Sequence, residues 1–128
     1  MCERLGPAMS RAAGLDYLLA LDGEILAQDK GYWIKIEARK LSQPTAACPH
    51  GIRYCLTLYD RYGKRVLGFD NAHAIVTRKR GRYTGRRVVY DHKHTNPGDR
   101  GTPYVFESAE QLVTDFFSEV DKVLRKIQ

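Results

Sequence analysis

The chain has 128 residues, of which 43% are apolar, and a formal net charge of +6. This composition argues against disorder, and no apolar stretch approaches the roughly 20 residues of a membrane span. Its three cysteines lack the spacing of a disulfide framework, which argues against a stapled secreted domain. We therefore expect one soluble, cytoplasmic domain at residues 15–128, after a loose N-terminal tail at residues 1–14.

The first predicted elements are strands. A short apolar run predicts a strand at Asp16–Leu21, after which Asp22 and Gly23 would turn the chain. Apolar and polar residues alternate over Gly31–Leu41, which predicts a half-buried strand. Two prolines in Ser42–Gly51 then predict a loop.

The middle of the chain continues this sheet. Alternation predicts a strand at Ile52–Tyr59 and, after a turn that contains a glycine, another at Arg65–Asn71. Further strands are expected at Val88–His92 and, at the edge of the sheet, at Tyr104–Phe106. The short connection between Ile52–Tyr59 and Arg65–Asn71 favours an antiparallel meander.

The C-terminal segment predicts an amphipathic helix of about five turns. Ser108 stands at the N-cap position with Gln111 three residues later, which is the capping-box arrangement. The apolar residues recur at spacings of three and four: Ala109, Leu112, Val113, Phe116, Phe117, Val120, Val123, Leu124 and Ile127.

The predicted fold is therefore α+β, an antiparallel sheet of four to five strands with one long C-terminal amphipathic helix packed on one face. The other face would be solvated, covered by the N-terminal tail, or buried against a protein partner or a second copy of the chain. A homodimer is thus one of the assemblies that the pattern allows.

Positive charge is concentrated in one segment of ten residues. Its cations and its tyrosine are Arg78, Lys79, Arg80, Arg82, Tyr83, Arg86 and Arg87. Such a segment is typical of a loop or extended hairpin that follows RNA phosphates while the tyrosine stacks on an unpaired base. Alternatively, it is a solvated hairpin that prevents edge-to-edge pairing, or it binds an acidic segment of a partner protein.

The histidines supply the groups that a ribonuclease needs. Cleavage by the 2′-hydroxyl requires a base, an acid and a cation on the phosphate. We expect His92 and His94 to act as acid and base, with Asp91 orienting one of them. Arg53, with Arg86 or Arg87, would hold the phosphate. Asp70 and Asn71 would position these groups.

Two other interpretations use the same residues. His92 and His94 could bind a transition metal together with His73, Asp70 or Cys48, but the spacing is not a zinc-finger pattern. We therefore predict no metal and no other cofactor. In a purely structural interpretation, Asp70 and Asn71 cap a turn while Asp91 pairs with a cation across the sheet.

Five segments resemble the TumE-type toxins of bacterial toxin–antitoxin modules. They are Pro49–Tyr54, Gly68–His73, Asp91–His94, Pro103–Phe106 and Glu110–Phe116. The resemblance covers roughly residues 15–125 and implies an adjacent antitoxin with a helix-turn-helix DNA-binding domain. It also implies that the family's polar site is formed here by Asp70, Asn71, Asp91, His92 and His94.

Two departures from the family pattern stand out. Residues Ala74–Tyr90, with the basic run, replace the short link of many relatives. Lys93 stands where arginine is usual, which keeps the charge but loses a bidentate fork. The sequence thus predicts a growth-inhibiting toxin that acts on RNA as a metal-independent ribonuclease. The alternative is a non-catalytic module that binds nucleic acid or protein and is neutralised by its antitoxin.

Overall fold

The computed structural model describes residues 11–71, 75–78, 86–89, 91–96 and 101–127. The described residues form two helices, α1 (Arg11–Ala20) and α2 (Ala109–Lys126). They also form strands β1 (Ile25–Ala27), β2 (Trp33–Lys40), β3 (Ile52–Tyr59), β4 (Arg65–Asp70), β5 (Ile75–Arg78), β6 (Arg86–Val89), β7 (His92–His94) and β8 (Thr102–Pro103). No helix in this part of the chain has the length and apolar character needed to cross a membrane.

Six strands form one antiparallel sheet in the order β1-β2-β3-β4-β7-β8. The central pair, β2 and β3, runs in register from Trp33 opposite Tyr59 to Lys40 opposite Ile52. Strands β5 and β6 pair with each other in a separate ladder between β4 and β7 in the chain.

Both helices share one core with a single face of the sheet. Leu18 of α1 and Leu112, Phe116 and Val120 of α2 are buried in the same cluster as the inward residues of β2, β3 and β4. A Cβ at Gly14 would stand 2.9 Å from the Cβ of Glu110, so glycine there allows α1 to approach the first turn of α2. The predicted α+β class, with a long helix on one face of an antiparallel sheet, is confirmed.

The central strands and the helix match the prediction closely. The alternation expected in β2 is present, since Ile34, Ile36 and Ala38 are buried and Glu37 is exposed. Ser108 caps α2 by accepting a hydrogen bond from the Gln111 backbone N–H at 3.0 Å. The Gln111 side chain bonds to Asp115 rather than back to the cap, so the capping box is only half formed.

The prediction was wrong at the N-terminus. Asp16–Leu21 was expected to be a strand, but residues up to Ala20 form α1. Leu15, Leu18 and Leu19 lie at the spacings of a helix face, and a short apolar run does not separate the two structures. Of the tail expected at residues 1–14, residues 11–14 belong to α1, and residues 1–10 lie outside the described part of the chain.

Four strand assignments also differ. The predicted strand Val88–His92 is divided, because β6 ends at Val89 and β7 begins at His92 in the other sheet. The edge strand lies at Thr102–Pro103 instead of Tyr104–Phe106, where the Phe106 ring turns to stack on His50. Strands β1 and β5 were not predicted, since runs of three or four residues carry too little alternation.

Candidate functional site

The face of the sheet opposite α1 and α2, here called the outer face, carries a row of polar residues. Glu37, Cys55, Asp70 and His92 are cross-strand partners on β2, β3, β4 and β7 in turn. Each alternates along its strand with residues of the helix side, which places their side chains on the outer face. The row brings polar groups from four strands together.

The last two residues of this row and a second histidine of β7 form the Asp–His–His cluster: Asp70, His92 and His94. The Nε2 atom of His92 lies 3.2 Å from Asp70 Oδ1, and that of His94 lies 3.9 Å from Oδ2. The two imidazoles meet edge to face with centroids 4.9 Å apart. His92 is 3% exposed and His94 is 7% exposed. The cluster is therefore a desolvated site in which one carboxylate faces two imidazoles.

The contact between His92 and Asp70 is not an aligned hydrogen bond. Oδ1 of Asp70 is buried and accepts no hydrogen bond within the described residues, although the His92 Nε2 atom lies 3.2 Å away. Among those residues this oxygen is therefore a buried acceptor without a well-aligned donor.

Gly101 lies directly against the two imidazoles. Its φ is +94°, and a Cβ there would stand 2.8 Å from His92 Cδ2 and 2.9 Å from His94 Cε1. Glycine is required both by the backbone conformation and by the lack of space. The segment at Gly101 therefore covers the cluster.

Replacing Gly101 by alanine is expected to destabilise the protein more than the same change at Gly63. Both glycines have positive φ, but nothing lies within 4 Å of a Cβ at Gly63. Backbone strain should cost about 1–3 kcal/mol at either position, and the collision with the imidazoles should add about 1–3 kcal/mol at Gly101 alone. Urea unfolding of both variants measures the difference, and equal losses would show that Gly101 does not pack against the cluster.

Arg53 and Asn71 lie beside the cluster with defined hydrogen bonds. Arg53 is half-buried on the outer face, and its Nη1 donates to the Asn71 carbonyl at 3.2 Å. The Asn71 side chain is buried, donates from Nδ2 to the Ile52 carbonyl at 2.7 Å and accepts from the Tyr54 N–H at 3.0 Å. Asn71 thus extends the pairing of β3 and β4 and holds the Arg53 guanidinium at the end of β4.

Asp91 belongs to a second network on the helix side of the sheet. Its Oδ2 accepts hydrogen bonds from His50 Nε2 at 2.9 Å and from the Tyr54 hydroxyl at 2.8 Å. The Ile52 N–H donates to His50 Nδ1 at 3.2 Å, so the ring proton of a neutral His50 is on Nε2 and points to Asp91. Burial and the nearby Asp91 carboxylate raise the pKa of Tyr54 well above its usual value, which keeps the phenol a donor.

The structure corrects the role expected of Asp91. Its carboxylate contacts His50 and Tyr54 rather than His92 or His94, and Asp70 is the carboxylate beside those two histidines. Neither His50 nor Tyr54 was singled out from the sequence as a partner of Asp91. The signal was weak, because Tyr54 reads as one more apolar residue in the alternation of β3.

Several other predicted positions lie away from the cluster. Cys48 is buried on the helix side, where its Sγ lies 3.8 Å from His50 Nδ1 and donates to the Ile52 carbonyl. Lys93 alternates with the two histidines and lines a cavity with Asp115 and Glu119 of α2. The lysine at this position therefore lies on the helix side of the sheet and not in the cluster. His73 lies outside the described residues.

The basic segment is carried by the hairpin of β5 and β6. Their register pairs Arg78 with Arg86 and Thr77 with Arg87, as an extended hairpin requires. Lys79, Arg80, Arg82 and Tyr83 lie outside the described part of the chain. Since β7 follows β6 after only two residues, the hairpin and the cluster are neighbours in the chain.

Comparison with known proteins gives one finding. The model of the family described as Toxin TumE matches residues 20–124 of the chain. No curated protein and no solved structure gives a significant match.

Proposed function

The chain belongs to the TumE toxin family, and from this premise we propose that it arrests growth by cutting RNA in a metal-independent reaction. Membership implies that the protein is the toxin component of a toxin–antitoxin system and that it has an antitoxin partner. We propose that this antitoxin carries a helix-turn-helix DNA-binding domain. The observation that carries the ribonuclease proposal is the Asp–His–His cluster, in which one nitrogen or carboxylate oxygen from each residue lies within 4.8 Å of those of the other two.

The chemistry needs two proton transfers. A neutral imidazole takes the proton of the 2′-hydroxyl as that oxygen attacks phosphorus, and an imidazolium protonates the 5′ oxygen as its bond to phosphorus breaks. The products are a 2′,3′-cyclic phosphate and a 5′-hydroxyl. His92 and His94 supply one group each, and the Asp70 carboxylate between their Nε2 atoms stabilises the positive charge of the acid.

Three arginines would bind the RNA backbone. Arg53 is held on the same face of the sheet as Asp70 by its bond to Asn71. Arg86 and Arg87 begin the strand that leads toward β7. These guanidinium groups stabilise the negative charge that develops on the phosphate. The remaining basic residues of the segment and Tyr83 hold the RNA that flanks the cleaved bond.

Access to the imidazoles requires a local movement. His92 and His94 are almost fully buried, and Gly101 lies against both rings. In the reaction that we propose, RNA displaces the segment at Gly101 and takes its place over the cluster. This burial also keeps water from the reacting groups until RNA is bound.

The test is cleavage of a single-stranded RNA by the purified protein in the presence of EDTA. We expect cleavage that the chelator does not slow, with 2′,3′-cyclic phosphate at the new 3′ ends. RNA that stays intact with and without EDTA, incubated with folded protein that still binds its antitoxin, would contradict the proposal.

The burial of both imidazoles favours a second candidate, a toxin that blocks its target by binding alone. In this case the basic hairpin is the effector, and the Asp–His–His cluster only braces β4 against β7. Growth arrest would then survive changes at the two histidines and disappear when the hairpin loses its charge.

Replacing Arg86 and Arg87 by serine is expected to weaken RNA binding under either function. Loss of two phosphate contacts should reduce the slope of log affinity against log salt by about 1.4 for single-stranded RNA. The matched control replaces Arg125 and Lys126, exposed cations in the last turn of α2, and should keep the wild-type slope. Fluorescence anisotropy at several salt concentrations measures both, and an unchanged slope in the hairpin variant would exclude this RNA-binding surface.

A further inference from the structure

We propose that Asp70, His92 and His94 also form a binding site for a divalent transition metal, and that the bound ion switches the ribonuclease off. The binding site follows from the geometry of the described residues. Its inhibitory effect rests on the ribonuclease function proposed above.

The ligand atoms are already close to the arrangement that a metal needs. His92 Nε2 and Asp70 Oδ1 are 3.2 Å apart, and His94 Nε2 and Asp70 Oδ2 are 3.9 Å apart. One potential ligand atom from each of the three residues lies within 4.8 Å of the other two. Around a tetrahedral zinc ion with bonds of about 2.0–2.1 Å, neighbouring ligand atoms stand roughly 3.3 Å apart. Binding thus requires side-chain shifts of about 1 Å or less and no change in strand register.

The chemistry of the three groups selects the class of ion. Two imidazoles and one carboxylate suit zinc, cobalt, nickel or iron, whereas magnesium and calcium prefer sites made of oxygen atoms. The antiparallel pairing of β4 with β7 holds the three side chains on one face. The buried Oδ1 of Asp70 accepts no hydrogen bond within the described residues, so a cation there would neutralise a desolvated carboxylate.

Inhibition follows because the ion and the reaction need the same two imidazoles. A metal ion on Nε2 takes the lone pair of each ring, and the proton of the neutral ring is then on Nδ1, so the ring has no lone pair left to accept a proton and is not the imidazolium that the acid step needs. The Asp70 carboxylate becomes a metal ligand at the same time. Chelation would therefore restore cleavage instead of removing it.

The experiment measures metal binding and RNA cleavage separately on protein that has been freed of metal with a chelator. Titration calorimetry with zinc gives the stoichiometry and affinity, and cobalt(II) absorption reports the ligand geometry. We expect one ion per chain. Asp70→Asn and the His92→Gln/His94→Gln double variant should each lose at least about tenfold in affinity, the lower bound seen when even an outer partner of a metal site is removed.

Cys55→Ser is the matched control, because Cys55 stands opposite Asp70 in the sheet and is a free thiol that could bind zinc by itself. It should keep the wild-type affinity. Failure of zinc and cobalt to bind, or binding that Asp70→Asn leaves unchanged, would overturn the site.

Cleavage assays then test the inhibition. We expect saturating zinc to slow RNA cleavage by at least tenfold and EDTA to restore it. Cleavage that needs the ion would overturn the inhibitory role and the metal-independent reaction while the binding site stands. Zinc binding by a protein that cleaves no RNA in any condition would support the site and overturn the ribonuclease function.

Discussion

Replacing His92 and His94 together by alanine is expected to lower the rate of RNA cleavage by about 10²–10⁴-fold or more, the usual contribution of positioned acid and base groups. In the proposed reaction the two imidazoles transfer the protons, and the Asp70 carboxylate oxygens lie 3.2 Å and 3.9 Å from their Nε2 atoms. Cleavage of a defined single-stranded RNA under single-turnover conditions measures the loss. A double variant that cleaves at the wild-type rate would remove both histidines from the mechanism.

Because both rings are buried, alanine also leaves a cavity that can destabilise the fold. Two further variants distinguish a loss of proton transfer from a loss of folding. His92→Gln/His94→Gln fills most of the volume and transfers no proton, so we expect a folded protein that binds its antitoxin without cutting RNA. His50→Gln makes the same change on the helix side of the sheet, where His50 contacts Asp91, and should leave cleavage close to wild type. If both double variants fail to fold, the cluster is a structural brace.

Replacing Asp91 by alanine is expected to lower the free energy of unfolding by about 2–3 kcal/mol, because two largely buried donors lose their acceptor at once. His50 Nε2 and the Tyr54 hydroxyl both donate to Asp91 Oδ2. The Asp91 side chain is 14% exposed and the His50 side chain is 18% exposed. Asp91→Asn keeps an acceptor oxygen and should cost less than half as much. Urea unfolding followed by circular dichroism measures both.

The control for Asp91 is Asp121→Ala on the exposed side of α2, where we expect a change within about 0.5 kcal/mol. Well below the unfolding transition, Asp91→Ala should still cut RNA at close to the wild-type rate, since its carboxylate lies on the opposite side of the sheet from the cluster. An undiminished stability, or a cleavage loss as large as that of the histidine variants, would contradict this placement.

Period-two alternation was enough to predict the centre of the sheet. In β2 and β3 each apolar residue points to one core, so pattern and structure depend on the same physical cause. The pattern was insufficient for α1, where Leu15, Leu18 and Leu19 fit a helix face but stand in a short run that also suits a strand.

The sequence grouped Asp70, Asp91, His92 and His94 in one site, but it assigned the contact with the histidines to Asp91 instead of Asp70. Asp91 directly precedes His92 in the chain. Because consecutive residues of a strand point to opposite faces of the sheet, the two side chains lie on different sides. Asp70 reaches the histidines only through the pairing of β4 with β7, and the basic hairpin of β5 and β6 stands between these strands in the chain. The register between strands joined by such a connection depends on tertiary packing, so a local sequence pattern does not predict it.

The contact of Gly101 with the histidines also could not be predicted from the local sequence. The position of Gly101 in a loop rich in glycine and proline predicts a turn, but not that its Cα lies against two imidazoles. That contact depends on β8 pairing with β7, a ladder of only two residue pairs. Short edge strands of this kind carry too little sequence pattern to be recognised before the fold is known.

Whether the Asp–His–His cluster cuts RNA can be measured in total RNA from induced cells. Wild-type protein and the His92→Gln/His94→Gln variant are expressed at equal levels, growth is followed, and new RNA ends are mapped. We predict growth arrest with new fragments for the wild type and neither for the variant. Equal arrest by both proteins with intact RNA would contradict the proposed cleavage and assign the toxicity to binding by the basic hairpin.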